Sequence, residues 1–138
     1  MGKEIVNSKW LGKMAFEAEV SGHKVLIDAG PAVGGENRGP RPKPLMLAAL
    51  GGCTAMDVIS ILGKMRVEVD SFNVIVEGDL TEEHPKHFYR MHVIYEFTGK
   101  DLPLDKLRKA VEMSEEKYCG VRATYKKALE ITSEIRIL

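Results

Sequence analysis

Apolar and polar positions alternate from Trp10 to Val20, with Met14, Phe16 and Ala18 in one set and Ala15, Glu17 and Glu19 in the other. A period of two predicts a half-buried strand. Ser21-Gly22 then marks a hairpin, and HKVLIDA (23–29) reads as the return strand. The stretch GPAVGGENRGPRPKP (30–44) is too rich in Gly and Pro for regular structure. Connections of that length are usually functional or disordered.

From Pro44 to about Arg66 the pattern becomes helical. Pro44 suits a first turn, where a missing N–H is no loss. The first half of this segment is apolar on all sides, which predicts a helix buried all round. Gly51 and Gly52 would each destabilise a helix by roughly 1 kcal/mol relative to Ala. Their presence predicts a neighbouring element packed tightly against them.

SFNVIVEGDL (71–80) and HFYRMHVIYEFTG (87–99) alternate as strands joined by a polar loop around Pro85. LPLDKLRKAVEMSEEKY (102–118) carries Leu104, Leu107, Ala110, Val111 and Met113 at helical spacing. A short helix is expected after Cys119-Gly120, and ALEITSEIRIL (128–138) closes as a strand. The order is strand, strand, long helix, strand, strand, helix, helix, strand. It predicts an α+β fold, an antiparallel sheet with a long buried central helix, in a single domain over residues 1–138. A helix apolar on every face is hard to cover in so small a domain, whereas a symmetric homodimer would cover it.

Composition narrows the function. Of the 138 residues 44% are hydrophobic, enough for a real core. Basic and acidic residues balance at 20 each, so there is no electrostatic case for a nucleic acid or an anionic membrane as partner. The N-terminal MGKEIVNSKW lacks the apolar segment of a signal peptide, and the uncharged run Pro44 to Met56 is too short to span a bilayer. A cytoplasmic location is expected. In a reducing cytosol the two cysteines, Cys53 and Cys119, are catalytic, metal-binding or merely buried before they are a permanent staple. They lie 66 residues apart without a CxxC motif, which removes the thioredoxin and zinc-knuckle patterns. His84, His87 and His92 are close in sequence, but Pro85 and the passage from loop to strand scatter them.

A thiol reacts as its thiolate, so something must favour the anion. Cys53 sits more than two turns inside its helix, beyond the reach of the helix dipole. Asp57, four residues on along the same face, acts against ionisation. The preceding loop offers two arginines, Arg38 and Arg41.

The segments GPRPKPLMLAALGGCTAMDV and SEEKYCGVRATYKKALEITSEI resemble the two cysteine segments of the OsmC/Ohr family, the osmotically inducible and organic hydroperoxide resistance proteins. The likeness runs over roughly Trp10 to Leu138 and is nearest to an OsmC-like branch with GPxPxxLxLAALGGC. It implies an OsmC-like fold in an intertwined homodimer. It also implies a peroxidase in which Cys53 attacks a small organic hydroperoxide and becomes a sulfenic acid, which Cys119 resolves as a disulfide. A dithiol reductant of the dihydrolipoamide kind would recycle the pair, with no bound cofactor or metal. The family's peroxidases pair the activating arginine with a glutamate before the cysteine helix. Here that segment reads Pro42-Lys43-Pro44, and Glu36 is the acid available to hold Arg38 or Arg41. The contrasting reading is a dimer of the same fold whose pocket binds a small apolar ligand without turnover.

Overall fold

The computed structural model describes residues 2–138. The chain forms two compact units, one ending at Met46 and the other running Leu47–Leu138.

In the first unit β1 (Asn7–Gly12), β2 (Ala15–Val20) and β3 (His23–Ile27) form an antiparallel sheet in that order. The single strand predicted over 10–20 is therefore two strands. Gly12 at φ 106 and Lys13 at φ 49 reverse the chain. The Trp10 indole N–H closes the turn onto the Lys13 carbonyl at 2.8 Å. Trp10 then faces Phe16 across the pair, so the alternation continues straight through the turn and hides it.

The Gly- and Pro-rich loop is ordered by one buried carboxylate. Asp28 is 2% exposed. It accepts the backbone N–H of Ala29 at 2.7 Å and those of Glu36 and Arg38 at 3.1 Å. Burial alone would raise its pKa, but the three N–H donors and the nearby Arg38 charge outweigh that and hold it below the usual value. A short 3-10 turn forms at Pro31–Val33. Gly39 has no room for a side chain, since a Cβ there would run into the Leu26 carbonyl.

Helix α1 (Pro42–Lys64) has Pro44 in its N-terminal turn, as expected, together with Pro42. In the second unit β4 (Ser71–Leu80), β5 (Phe88–Thr98) and β6 (Glu130–Ile137) form the other sheet. The expected antiparallel pairing holds for β4 and β5, but β6 runs parallel to β5, with Val93 opposite Ser133. The reason is the connection. Helix α2 (Leu104–Met113), a π-helical turn (Ser114–Tyr118) and helix α3 (Gly120–Tyr125) make a crossover that returns the chain to the start of β5.

The core of this unit gathers Leu50, Val58 and Leu62 of α1, Met91, Val93, Tyr95 and Phe97 of β5, and Leu107, Ala110 and Val111 of α2. Phe72 of β4 stacks on Phe97 at 4.7 Å between ring centres. Helix α1 has the length and composition of a membrane span, yet it serves as a core helix. Its buried stripe is Leu50, Thr54, Val58, Ile61 and Leu62, while Met56 is 73% and Ile59 47% exposed. All-round burial is thus not reached within one chain, because the sheet covers a single face. The two glycines divide in the same way. A Cβ on Gly51 would come within 3.2 Å of Val76 on β4, whereas one on Gly52 meets nothing within 4 Å.

Candidate active site

Helix α1 presents Cys53 and Asp57 one turn apart, and the π-helical turn delivers Cys119 from the other side. The wide turn is closed by the Cys119 N–H on the Ser114 carbonyl at 2.7 Å, an i to i+5 bond. Such insertions recur at functional sites because they re-aim the residues around them. The two sulfurs and a carboxylate oxygen of Asp57 lie within 4.8 Å of one another. Both cysteines are free thiols, Cys53 half-buried and Cys119 buried.

The surroundings of the two sulfurs differ. Burial pushes the Cys119 thiol up to about 11. The Arg122 backbone N–H, which reaches Cys119 Sγ at 3.4 Å, pulls it back in part, while Cys53 and the Asp57 charge add to the rise. At neutral pH Cys119 is therefore a protonated thiol. The Asp57 charge, one helical turn from Cys53 on α1, thus acts on the Cys119 thiol across the site.

A chain of hydrogen bonds runs inward from Asp57. Ser114 Oγ donates to Asp57 Oδ2 at 3.0 Å and lies 2.9 Å from Thr54 Oγ1. Thr54 Oγ1 is 2.8 Å from the Tyr95 hydroxyl, which donates to Glu115 Oε2 at 3.0 Å. Each hydroxyl has one hydrogen to give. Ser114 and Tyr95 spend theirs on the two carboxylates, so the Thr54 hydrogen serves either of the two central links. Burial raises the Tyr95 phenol above its ordinary value and keeps it a donor. Glu115 Oε2 also meets Arg122 Nη1 at 3.4 Å, an ion pair too oblique to count as a hydrogen bond.

Beside Asp57 opens a cleft of about 390 Å³ lined by Asp57, Ile61, Lys64, Met65, Met113 and Tyr118. Its walls are mostly apolar, with Asp57 and Lys64 as the charges.

The arginines and the glutamate singled out in the sequence belong to the first unit and have partners there. Arg41 donates to Asn37 Oδ1 at 2.7 Å and to the Gly39 carbonyl at 3.0 Å. The Arg38 backbone N–H is held by Asp28. Glu36 pairs with Lys13 at 3.5 Å. The histidines do not gather, since His92 is tied across the sheet to Thr132 and Glu134 and His87 to the Pro85 carbonyl. Sequence reasoning missed Thr54, Tyr95, Ser114, Glu115 and Arg122 as site residues. Ser114, Glu115 and Arg122 stand beside Cys119 in the chain, and that adjacency was the available signal.

The family model described as OsmC-like protein matches residues 35–134, a span that includes both cysteines. The chain belongs to the OsmC-like family. Protein YhfA of Escherichia coli K12 is 35% identical over 131 residues, covering 94% of this chain and 95% of the relative. A crystal structure of a hypothetical protein from Aquifex aeolicus covers 100% of this OsmC-like chain and 99% of its own, with a TM-score of 0.83 and 30% identity. An organic hydroperoxide resistance protein OsmC from Legionella pneumophila superposes with a TM-score of 0.70, covering 99% and 98% of the two chains. At 14% identity that last likeness speaks for the fold.

Proposed function

We propose that this OsmC-like protein is a cytoplasmic thiol peroxidase for small organic hydroperoxides. Cys53 is the peroxidatic residue, Cys119 the resolving one, and a dithiol of the dihydrolipoamide kind the reductant. The observation that carries the reading is the pair of free sulfurs within 4.8 Å, supplied by elements far apart in the chain. The difference in burial supports this division of roles. Half-buried Cys53 is open to a substrate, while buried Cys119 is held as a thiol until an electrophilic sulfur forms beside it.

The Cys53 thiolate attacks the distal peroxide oxygen, the O–O bond breaks, and the departing alkoxide takes a proton to become an alcohol. The sulfenic acid on Cys53 then reacts with the Cys119 thiol, forming the S–S bond and releasing water. Two electrons leave the sulfurs and two enter the peroxide. The mostly apolar cleft beside Asp57 suits the organic group. Arg38 or Arg41 would supply the activating charge, Arg41 being held by Asn37 and the Gly39 carbonyl while Glu36 pairs with Lys13. The face of α1 carrying Met56 and Ile59 suits burial against a second copy in a homodimer.

The test is consumption of cumene hydroperoxide with a dithiol reductant. The wild-type chain should turn over, Cys53→Ser should not, and Cys119→Ser should stop after one equivalent. Mass spectrometry should find the Cys53–Cys119 disulfide within one chain. Absence of Cys53-dependent turnover would leave the ligand-binding reading, which the same cleft favours.

A further inference from the structure

The three groups that meet at the two sulfurs make more than a redox pair. Cys53 Sγ, Cys119 Sγ and an Asp57 carboxylate oxygen lie within 4.8 Å of one another. Zinc binds thiolate at about 2.3 Å and carboxylate at about 2.0–2.2 Å, so tetrahedral ligands stand roughly 3.5–3.8 Å apart. The three groups need to draw in by about an ångström at most. Two of them come from one helical turn of α1, which sets their spacing rigidly, and the third from the turn before α3.

We propose that Cys53, Cys119 and Asp57 form a binding site for a thiophilic divalent cation, zinc above all. Outer groups are already in place for it. Ser114 Oγ donates to Asp57 Oδ2 at 3.0 Å, leaving the other carboxylate oxygen for the metal. The Arg122 backbone N–H donates to Cys119 Sγ at 3.4 Å. Donors of this kind orient ligands and favour their anionic forms. Ser114 is in turn fixed by Thr54.

Charge argues the same way. With both thiols ionised the three ligands carry three negative charges in a half-buried setting. The Arg122 guanidinium is engaged with Glu115. Lys64 stands on the cleft wall with Asp57. A divalent cation leaves a single net negative charge. Two sulfurs select zinc over magnesium, calcium or manganese. Three protein ligands leave a fourth position free, as in zinc sites that keep a water.

The site and the peroxidase use the same sulfurs, so each excludes the other. Bound zinc masks the nucleophile. A hydroperoxide that oxidises the pair releases the ion: two thiolates, one hydroperoxide and two protons become a disulfide, an alcohol and water. This release rests on the peroxidase reading, whereas the binding does not.

The experiment is anaerobic titration of the reduced, full-length protein with zinc and with cobalt(II). Expected are one zinc retained per chain and, for cobalt, a thiolate-to-metal charge-transfer band with tetrahedral d–d absorption. Cys53→Ser and Cys119→Ser should each lower that band. Asp57→Asn should weaken binding, and Ser114→Ala should weaken it roughly tenfold. A cobalt spectrum of the wild-type protein without thiolate charge transfer overturns the proposal, whatever the variants do. Unchanged affinity in folded Asp57→Asn overturns it too. Hydroperoxide turnover without metal binding sinks the site and leaves the peroxidase standing. Zinc binding together with no turnover by the zinc-free protein supports the site and sinks the peroxidase.

Discussion

Thr54 and Tyr95, 41 positions apart, bring their hydroxyl oxygens to 2.8 Å inside the core, a contact that the Thr54 hydrogen can bridge. The contact ties the middle of α1 to the middle of β5, and through Ser114 and Glu115 to the turn that carries Cys119. Thr54→Val keeps the shape and removes the link. Whichever of Ser114 and Tyr95 accepts the Thr54 hydrogen is left without that donor where water does not reach, a loss of about 1–3 kcal/mol. Urea denaturation should show a lower midpoint with an unchanged slope. A variant as stable as the wild type would show that the chain of hydroxyls contributes nothing to the fold.

Asp28 predicts an acid-sensitive loop. Its pKa lies below the usual 3.8 because three backbone N–H groups and Arg38 favour the carboxylate. A group depressed on folding stabilises above its unfolded pKa, and that contribution disappears as pH falls through the folded value. The loop carrying Glu36, Arg38 and Arg41 should hold its amide protection above about pH 4 and lose it below. Hydrogen exchange at Glu36 and Arg38 reads this directly. Asp28→Asn should expose the same amides at neutral pH, and protection unchanged in that variant would contradict the assignment.

The adjacent glycines of α1 should respond oppositely to a methyl group. At Gly52 a Cβ meets nothing within 4 Å, so Gly52→Ala should gain up to about 1 kcal/mol from helix propensity. At Gly51 it meets Val76 at 3.2 Å, and the strand must yield to admit it. Gly51→Ala should gain less than Gly52→Ala or lose stability. Thermal melts of the two variants decide. A loss at Gly52 that grows on dilution would instead show a second copy packed there.

Met56, 73% exposed on the uncovered side of α1, tests the homodimer. Met56→Glu places a charge on that face. Exposed sites tolerate such changes within about 0.5 kcal/mol when nothing packs on them. Light scattering should show a wild-type dimer and a Met56→Glu monomer. A folded wild-type monomer would remove the dimer from the proposal.

Much of this architecture is legible in the residues because it depends on local periodicity. The alternation of β4 and β5 and the spacing of Leu107, Ala110 and Val111 on α2 follow from which face must be buried. The relation of Cys53 to Asp57 is legible for the same reason: four residues along a helix is one turn. The division of β1 from β2 is not, since a tight turn preserves the alternation on both sides of it.

By itself, then, the sequence determined most of the elements, the α+β class and the placing of Asp57 one turn from Cys53, all consequences of neighbours along the chain. The parallel pairing of β6 came only with the tertiary structure, because a strand's apolar period is the same in either direction. So did the partners of Thr54, Tyr95, Ser114, Glu115 and Arg122. A hydroxyl or a charge in a string of letters looks like surface until the fold buries it, and burial then makes an unpaired polar group costly. The same holds at Asp28, an ordinary acid after a strand until three N–H groups close around it. The carboxylate beside the two sulfurs joins an i+4 pair that the sequence shows to a cysteine 66 residues away, and only packing determines how close that third group comes.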